Sequence, residues 1–120
     1  MDVQLQILGD VRLAICPPEG PLLASAPDVN RFIEAAWGLE ADWLALPVSR
    51  LGPDFLTLRT GLLGETTQKF VTHRTGLAVI GDINAPLAAS GALRDYVRET
   101  ERGGGVRFAP DLARLIAALS

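Results

Sequence analysis

Reactive side chains are scarce in this sequence. It holds one cysteine, one histidine and one methionine, and Lys69 is its single lysine. One thiol, Cys16, excludes an internal disulfide. One Cys with one His cannot furnish a structural zinc site, and no cofactor is expected. Long apolar runs are missing too, for nothing approaches the roughly 20 residues that cross a bilayer. Basic charge is in the minority, with 11 Lys and Arg against 14 Asp and Glu for a net charge of -3. Nucleic-acid binders usually display a basic stripe, and this balance steers the chain away from phosphate. The opening Met1-Asp2-Val3-Gln4-Leu5-Gln6 has no basic segment before an apolar one. No signal peptide is read there, and the expected location is the cytoplasm. Neither nucleic acid nor membrane is an expected partner.

What is present is apolar. Hydrophobic residues make up 48% of 120 positions, which excludes disorder and suits one domain of ordinary size. A chain of this length hides about two thirds of its unfolded surface, enough for a core without metals or disulfides. Cys16 ends the run Leu13-Ala14-Ile15-Cys16 and reads as a small buried hydrophobe. A nucleophilic thiol would want a base, and the only histidine, His73, is far away in sequence.

Residues 3–8 alternate apolar and polar, as do 11–15, around Gly9-Asp10. That pattern predicts a β-hairpin, stopped by Pro17-Pro18-Glu19-Gly20-Pro21. A helix follows, capped by Ser25 or Asp28, with Pro27 in its first turn and Gly38 at its end. Val29, Phe32, Ile33 and Ala36, together with Trp37, keep the spacing of one buried face. Trp43-Leu44-Ala45-Leu46-Pro47 is short and wholly apolar, hence a central strand buried on both faces. A second helix is expected from about residue 54 or 58 to 71, weakened by Gly61 and Gly64. Residues 77–80 form another apolar strand, closed by Gly81-Asp82 ahead of Asn84-Ala85-Pro86. A third helix is expected over 90–102, with Leu93, Tyr96 and Val97 inward. Gly103-Gly104-Gly105 leads into a last strand over 106–109. Pro110-Asp111 opens a final helix with the stripe Leu112, Leu115, Ile116 and Leu119. The fold class is therefore α/β. It has one domain, a mostly parallel, mixed, five-stranded sheet and about four helices, in the order β-β-α-β-α-β-α-β-α.

The stretch Asp54-Phe55, Leu58-Arg59-Thr60-Gly61, Gly64-Glu65 and Gln68-Lys69-Phe70 resembles the signature of a bacterial family, domain of unknown function 4180. Leu77-Ala78-Val79-Ile80-Gly81-Asp82 and the segment from Leu93-Arg94-Asp95-Tyr96-Val97-Arg98-Glu99 to Arg102-Gly103 resemble its following blocks. The likeness covers about residues 40–119. It departs at Glu101, where asparagine is expected, at the added Gly104 and Gly105, and at Thr72-His73, where asparagine-tyrosine is more usual. The heavy use of Ala, Leu, Gly and Arg also fits a GC-rich bacterial genome. The element order is similar to that of STAS domains, the fold of anti-anti-sigma factors. There the second helix opens with a phosphorylatable serine-glycine pair, and Thr60-Gly61 stands in a comparable place.

The densest polar cluster is the second helix, with Arg59, Thr60, Glu65, Gln68, Lys69 and His73. Gly61, Gly64 and Gln68 fall at i, i+3 and i+7, one face on which missing side chains let another backbone or a ligand approach. The same glycines equally serve tight helix–sheet packing. Arg59 and Thr60 near a helix start can hold an anion. Alternatively Thr60 caps the helix and Arg59 pairs with Asp54 or Glu65. His73 can act as a base or be an ordinary turn residue. Asp82 ends a parallel strand, where ligands gather in open α/β sheets, or it caps a turn. Two functions remain. One is a non-catalytic regulatory or protein-interaction module acting through the second helix and adjacent strand ends, as a homodimer. The other is a small enzyme or ligand-binding protein for an anionic or other small molecule, such as a secondary metabolite. Its pocket would be lined by Trp43, Arg59, Gln68, His73, Asp82 and Tyr96.

Overall fold

The computed structural model describes residues 2–120, and they begin with the expected antiparallel hairpin. Strands β1 (Gln4–Leu8) and β2 (Val11–Ile15) join through Gly9-Asp10. Gly9 has φ +62° and Asp10 stays out of that region, the pattern of a type II′ turn, whose first central position favours glycine. Next come α1 (Ala26–Gly38), β3 (Trp43–Pro47), α2 (Leu62–Thr72), β4 (Gly76–Ile80), α3 (Asn84–Ala89), α4 (Gly91–Thr100), β5 (Val106–Ala109) and α5 (Leu112–Leu119). The sheet order is β1-β2-β3-β4-β5, parallel from β2 onward.

Pleating assigns alternate residues to opposite faces of this sheet. Ala14, Leu44, Leu46, Leu77 and Val79 point to one face, where they pack with Val29, Phe32 and Ala36 of α1, Leu63 and Phe70 of α2, and Leu93 of α4. Leu13, Ala45 and Ala78 point to the other, where α5 lays down Leu115 with Leu112, Ile116 and Leu119. The central strands are apolar throughout because both of their faces are covered. α5 is only 8 residues long and caps part of its face, which leaves the sheet open beyond its first turn.

The described residues hold five α-helices, the expected four or so together with the short α3 that Asn84-Ala85-Pro86 opens. Pro86 is its third residue, where no intrahelical N–H donor is needed. The second helix starts at Leu62, not at 54 or 58. Residues Leu58–Thr60 form a 3₁₀ turn, and Gly61, at φ +79°, breaks the chain before α2. Trp37 is 57% exposed rather than buried. Its indole N–H donates to the His73 carbonyl at 3.2 Å, and its ring meets the His73 ring edge-on at 5.4 Å. The tryptophan lies over the end of α2 instead of entering the core.

Candidate functional site

A parallel sheet ends its strands on the same side, and the loops that leave them diverge over that edge. Here Cys16 and Pro17 follow β2, Pro47 ends β3, Gly81 follows β4 and Pro110 follows β5. Three of these four exits carry proline, which donates no N–H and turns the backbone away. Together with Gln4, Ile15, Pro18, Ile80 and Leu112, these exits enclose a cleft of about 450 Å³. Asp2 and Asp111 stand at its rim. The volume is that of a small-molecule site, and the wall is mostly apolar, as such sites are. Asp111 also caps α5, its carboxylate accepting from the Arg114 N–H at 2.8 Å. Cys16 is 2% exposed, and burial pushes its thiol from the ordinary 9.0 up to about 11, against the attraction of the Arg50 guanidinium. At neutral pH it is a neutral wall group.

A second hollow of about 290 Å³ shares Gly81 and Pro110 with the first and lies against Asp82, Ile83, Leu87, Val97 and Phe108. The ends of β4 and β5 therefore stand between two depressions.

One wall of the main cleft, Pro17-Pro18, belongs to the loop held by Arg50. Arg50 is fully buried. Its Nε donates to the Pro21 carbonyl at 2.9 Å and its Nη1 to the Pro17 carbonyl at 3.0 Å. The guanidinium lies 5.4 Å from the Phe32 ring centre, and Nη2 has no hydrogen-bond partner among the described residues. Nothing in Val48-Ser49-Arg50-Leu51 signals burial. A hint lies in the five-residue loop Pro17-Pro18-Glu19-Gly20-Pro21, whose prolines supply carbonyls but few N–H groups to pair them.

The residues expected to form the site are distributed differently. Asp54, Thr60 and Glu65 come together in a polar hollow of about 240 Å³ between the amino ends of α1 and α2, with Ser25. Its two carboxylates disfavour an anion. Thr60 donates through Oγ1 to the Thr57 carbonyl at 2.9 Å. Arg59 is exposed and forms no ion pair among the described residues, with neither Asp54 nor Glu65. Gly61 is a cap rather than part of the helix face. Among the described residues, a Cβ at Gly61 or Gly64 would meet nothing within 4 Å, so neither glycine serves packing there, and with exposed Gln68 they face open space. Lys69 donates to the Asn30 side chain at 3.3 Å, tying α2 to α1. His73 has Nδ1 2.8 Å from the Lys69 carbonyl. Asp82 accepts from the Asn84 N–H at 2.9 Å, a turn-capping role. Trp43 and Tyr96 lie on opposite faces of the sheet. The six residues expected to line an enzyme pocket therefore do not converge.

No helix among the described residues is long and apolar enough to cross a membrane. No three His, Cys, Asp or Glu side chains among them stand together as metal ligands would. A family model with the description domain of unknown function (DUF4180) matches residues 8–119. No curated protein and no solved structure matches the chain.

Proposed function

The chain belongs to that family, and we propose that it is a binding module whose carboxyl-edge cleft holds a small, mostly apolar molecule, neutral or cationic. The observation that carries this reading is the 450 Å³ cleft bounded by Ile15, Pro47, Ile80 and Leu112, whose charged lining residues are Asp2 and Asp111. Apolar burial supplies the affinity, at about 25 cal/mol per Å² removed from water. Asp2 and Asp111 select against anions by like charge. Binding rather than chemistry is favoured because the one thiol in the wall is protonated at neutral pH. His73 adds no base, for it belongs to the opposite end of α2.

Thermal unfolding in the presence of a library of neutral and cationic apolar compounds tests the reading. A ligand at 100 times its Kd adds about 2.7 kcal/mol of stability. Ile80→Trp fills the cleft from a half-buried strand end and abolishes that gain while the fold persists. If compounds stabilise Ile80→Trp as much as the native chain, they bind elsewhere and the proposal fails.

A second reading rests on the bare face of α2. Gly64 and Gln68, with the capping Gly61 just before the helix, leave the backbone open to solvent, which favours a STAS-like regulatory module that docks a protein through this helix. Phosphate added to Thr60 would lie at the amino end of α2, attracted by the helix dipole but repelled by the Asp54 and Glu65 carboxylates beside it, so it would alter the charge of this face without being held there. Gly64→Arg abolishes partner capture under this reading and leaves ligand binding in the cleft untouched.

A further inference from the structure

We infer that two copies of this chain pair through β1, edge to edge and antiparallel, into one continuous sheet. The Asp42 N–H donates to the Arg12 carbonyl at 2.7 Å, and the Cys16 N–H donates to the Ala45 carbonyl at 3.0 Å. The even-numbered residues of β2 thus turn their backbone toward β3, and the odd ones turn theirs toward β1. The odd residues Val11, Leu13 and Ile15 oppose Leu8, Gln6 and Gln4. Those three spend their N–H and C=O groups inside the hairpin. Val3, Leu5 and Ile7 turn theirs outward, to an edge with no neighbouring strand among the described residues.

Natural sheets protect such an edge with charge, proline, a bulge or extreme shortness. β1 has none of these. Residues 3–9 are uncharged, and Ile7 is 54% exposed. The opposite edge is protected. β5 has 4 residues and carries Arg107, and Pro110 follows it. The Leu77 and Gly81 N–H groups reach the Gly105 and Ala109 carbonyls, which leaves only Val106 and Phe108 facing outward. A head-to-tail stack of β1 on β5 is therefore disfavoured, and a closed two-fold pair of β1 strands is favoured.

The occupant of the β1 edge is a second copy because the alternating strand is complementary to itself, and one register pairs all three outward residues Val3, Leu5 and Ile7 with one another. With Leu5 on the two-fold axis, Leu5 opposes Leu5, Val3 opposes Ile7 and Gln4 opposes Gln6. Apolar side chains meet on one face and amides on the other. Each pair of outward-facing residues exchanges both N–H···O bonds. The neighbouring register, centred on Gln6, would instead set Asp2 against Asp10 at both ends, a like-charge clash. In the favoured register Asp2 meets Leu8. Asp2 and Gln4 also line the carboxyl-edge cleft, so the second copy borders its rim.

Sedimentation velocity over a concentration series gives the test. The native chain sediments at twice its 12.8 kDa mass. Leu5→Lys and Leu5→Glu each place like charges on the axis and shift the chain to monomer, raising the dissociation constant at least 100-fold. An equimolar mixture of the two variants restores the dimer as a heterodimer. Ile7→Lys, at an exposed side chain, also weakens the dimer while circular dichroism stays native, which separates loss of pairing from loss of fold. A native chain that stays monomeric at every concentration overturns the inference. So does a dimer that survives both charge variants, or one that Gly64→Arg dissolves through α2.

Discussion

Arg50 is the residue on which the cleft's outer wall depends. It is a buried cation whose partners are carbonyls of one loop and the face of Phe32. Each hydrogen bond to a charged group contributes about 1.5–3 kcal/mol, and an abandoned buried acceptor costs about as much. Arg50→Met keeps the stem's packing and removes the guanidinium. We expect a loss of about 3 kcal/mol in urea unfolding, together with faster proteolysis within residues 17–21. Cys16 makes a second prediction. Its pKa is raised in the fold, so its stabilising term is complete below the ordinary value of 9.0 and is lost as pH rises from there toward about 11. Iodoacetamide at pH 8 leaves the native thiol unmodified and labels it only on unfolding. The burial of Cys16 was legible in its apolar run. That of Arg50 was not, because sequence shows an arginine's charge and not the loop that folds over it.

At the scale of elements, short side chains fix where helices begin. The Ser90 hydroxyl accepts from the Leu93 N–H at 3.1 Å and starts α4. Ser90→Ala lowers stability by about 1 kcal/mol, measured by thermal unfolding. Asp28 does the same for α1, accepting from the Ala24 and Ser25 N–H groups at 3.0 Å. These bonds hold its carboxyl below the usual value of 3.8. Its contribution is therefore present above that value and is lost as pH falls through the lower, folded one. The variant Asp28→Asn flattens this acid limb of the stability profile. Strands and the first helix were legible because period and capping residues agreed. The start of α2 was misread because Asp54, Leu58 and Leu62 all suit a helical spacing. Only the backbone shows that Gly61 adopts a left-handed conformation between a 3₁₀ turn and the helix. Trp37 was assigned inward on spacing alone, yet a residue in a helix's last turn can reach past the stripe to a neighbouring helix end.

For the whole molecule, the sheet sets a gradient of protection. β3 and β4 are flanked on both sides and covered on both faces. Hydrogen exchange will therefore be slowest at Leu44, Ala45, Leu77 and Ala78 and fastest in α3 and the glycine loop before β5. The class and order of the fold were legible because apolar runs and breakers alternate cleanly. The site was legible only by place. Asp82 and Gly81 marked the carboxyl edge, but the apolar cleft there is assembled from residues as distant in sequence as Gln4 and Leu112. No local pattern announces such a meeting.

In this sheet the order of strands in space repeats their order in the chain. Each new strand as it leaves the ribosome finds its neighbour already made, and none has to wait for a later one to fill a gap between them. The sheet can thus be laid down in the direction of synthesis, with the hairpin as its starting template. α5 follows all five strands in the chain, so it closes the far face over strands already in place, and Leu112 is the latest-made part of the cleft's wall.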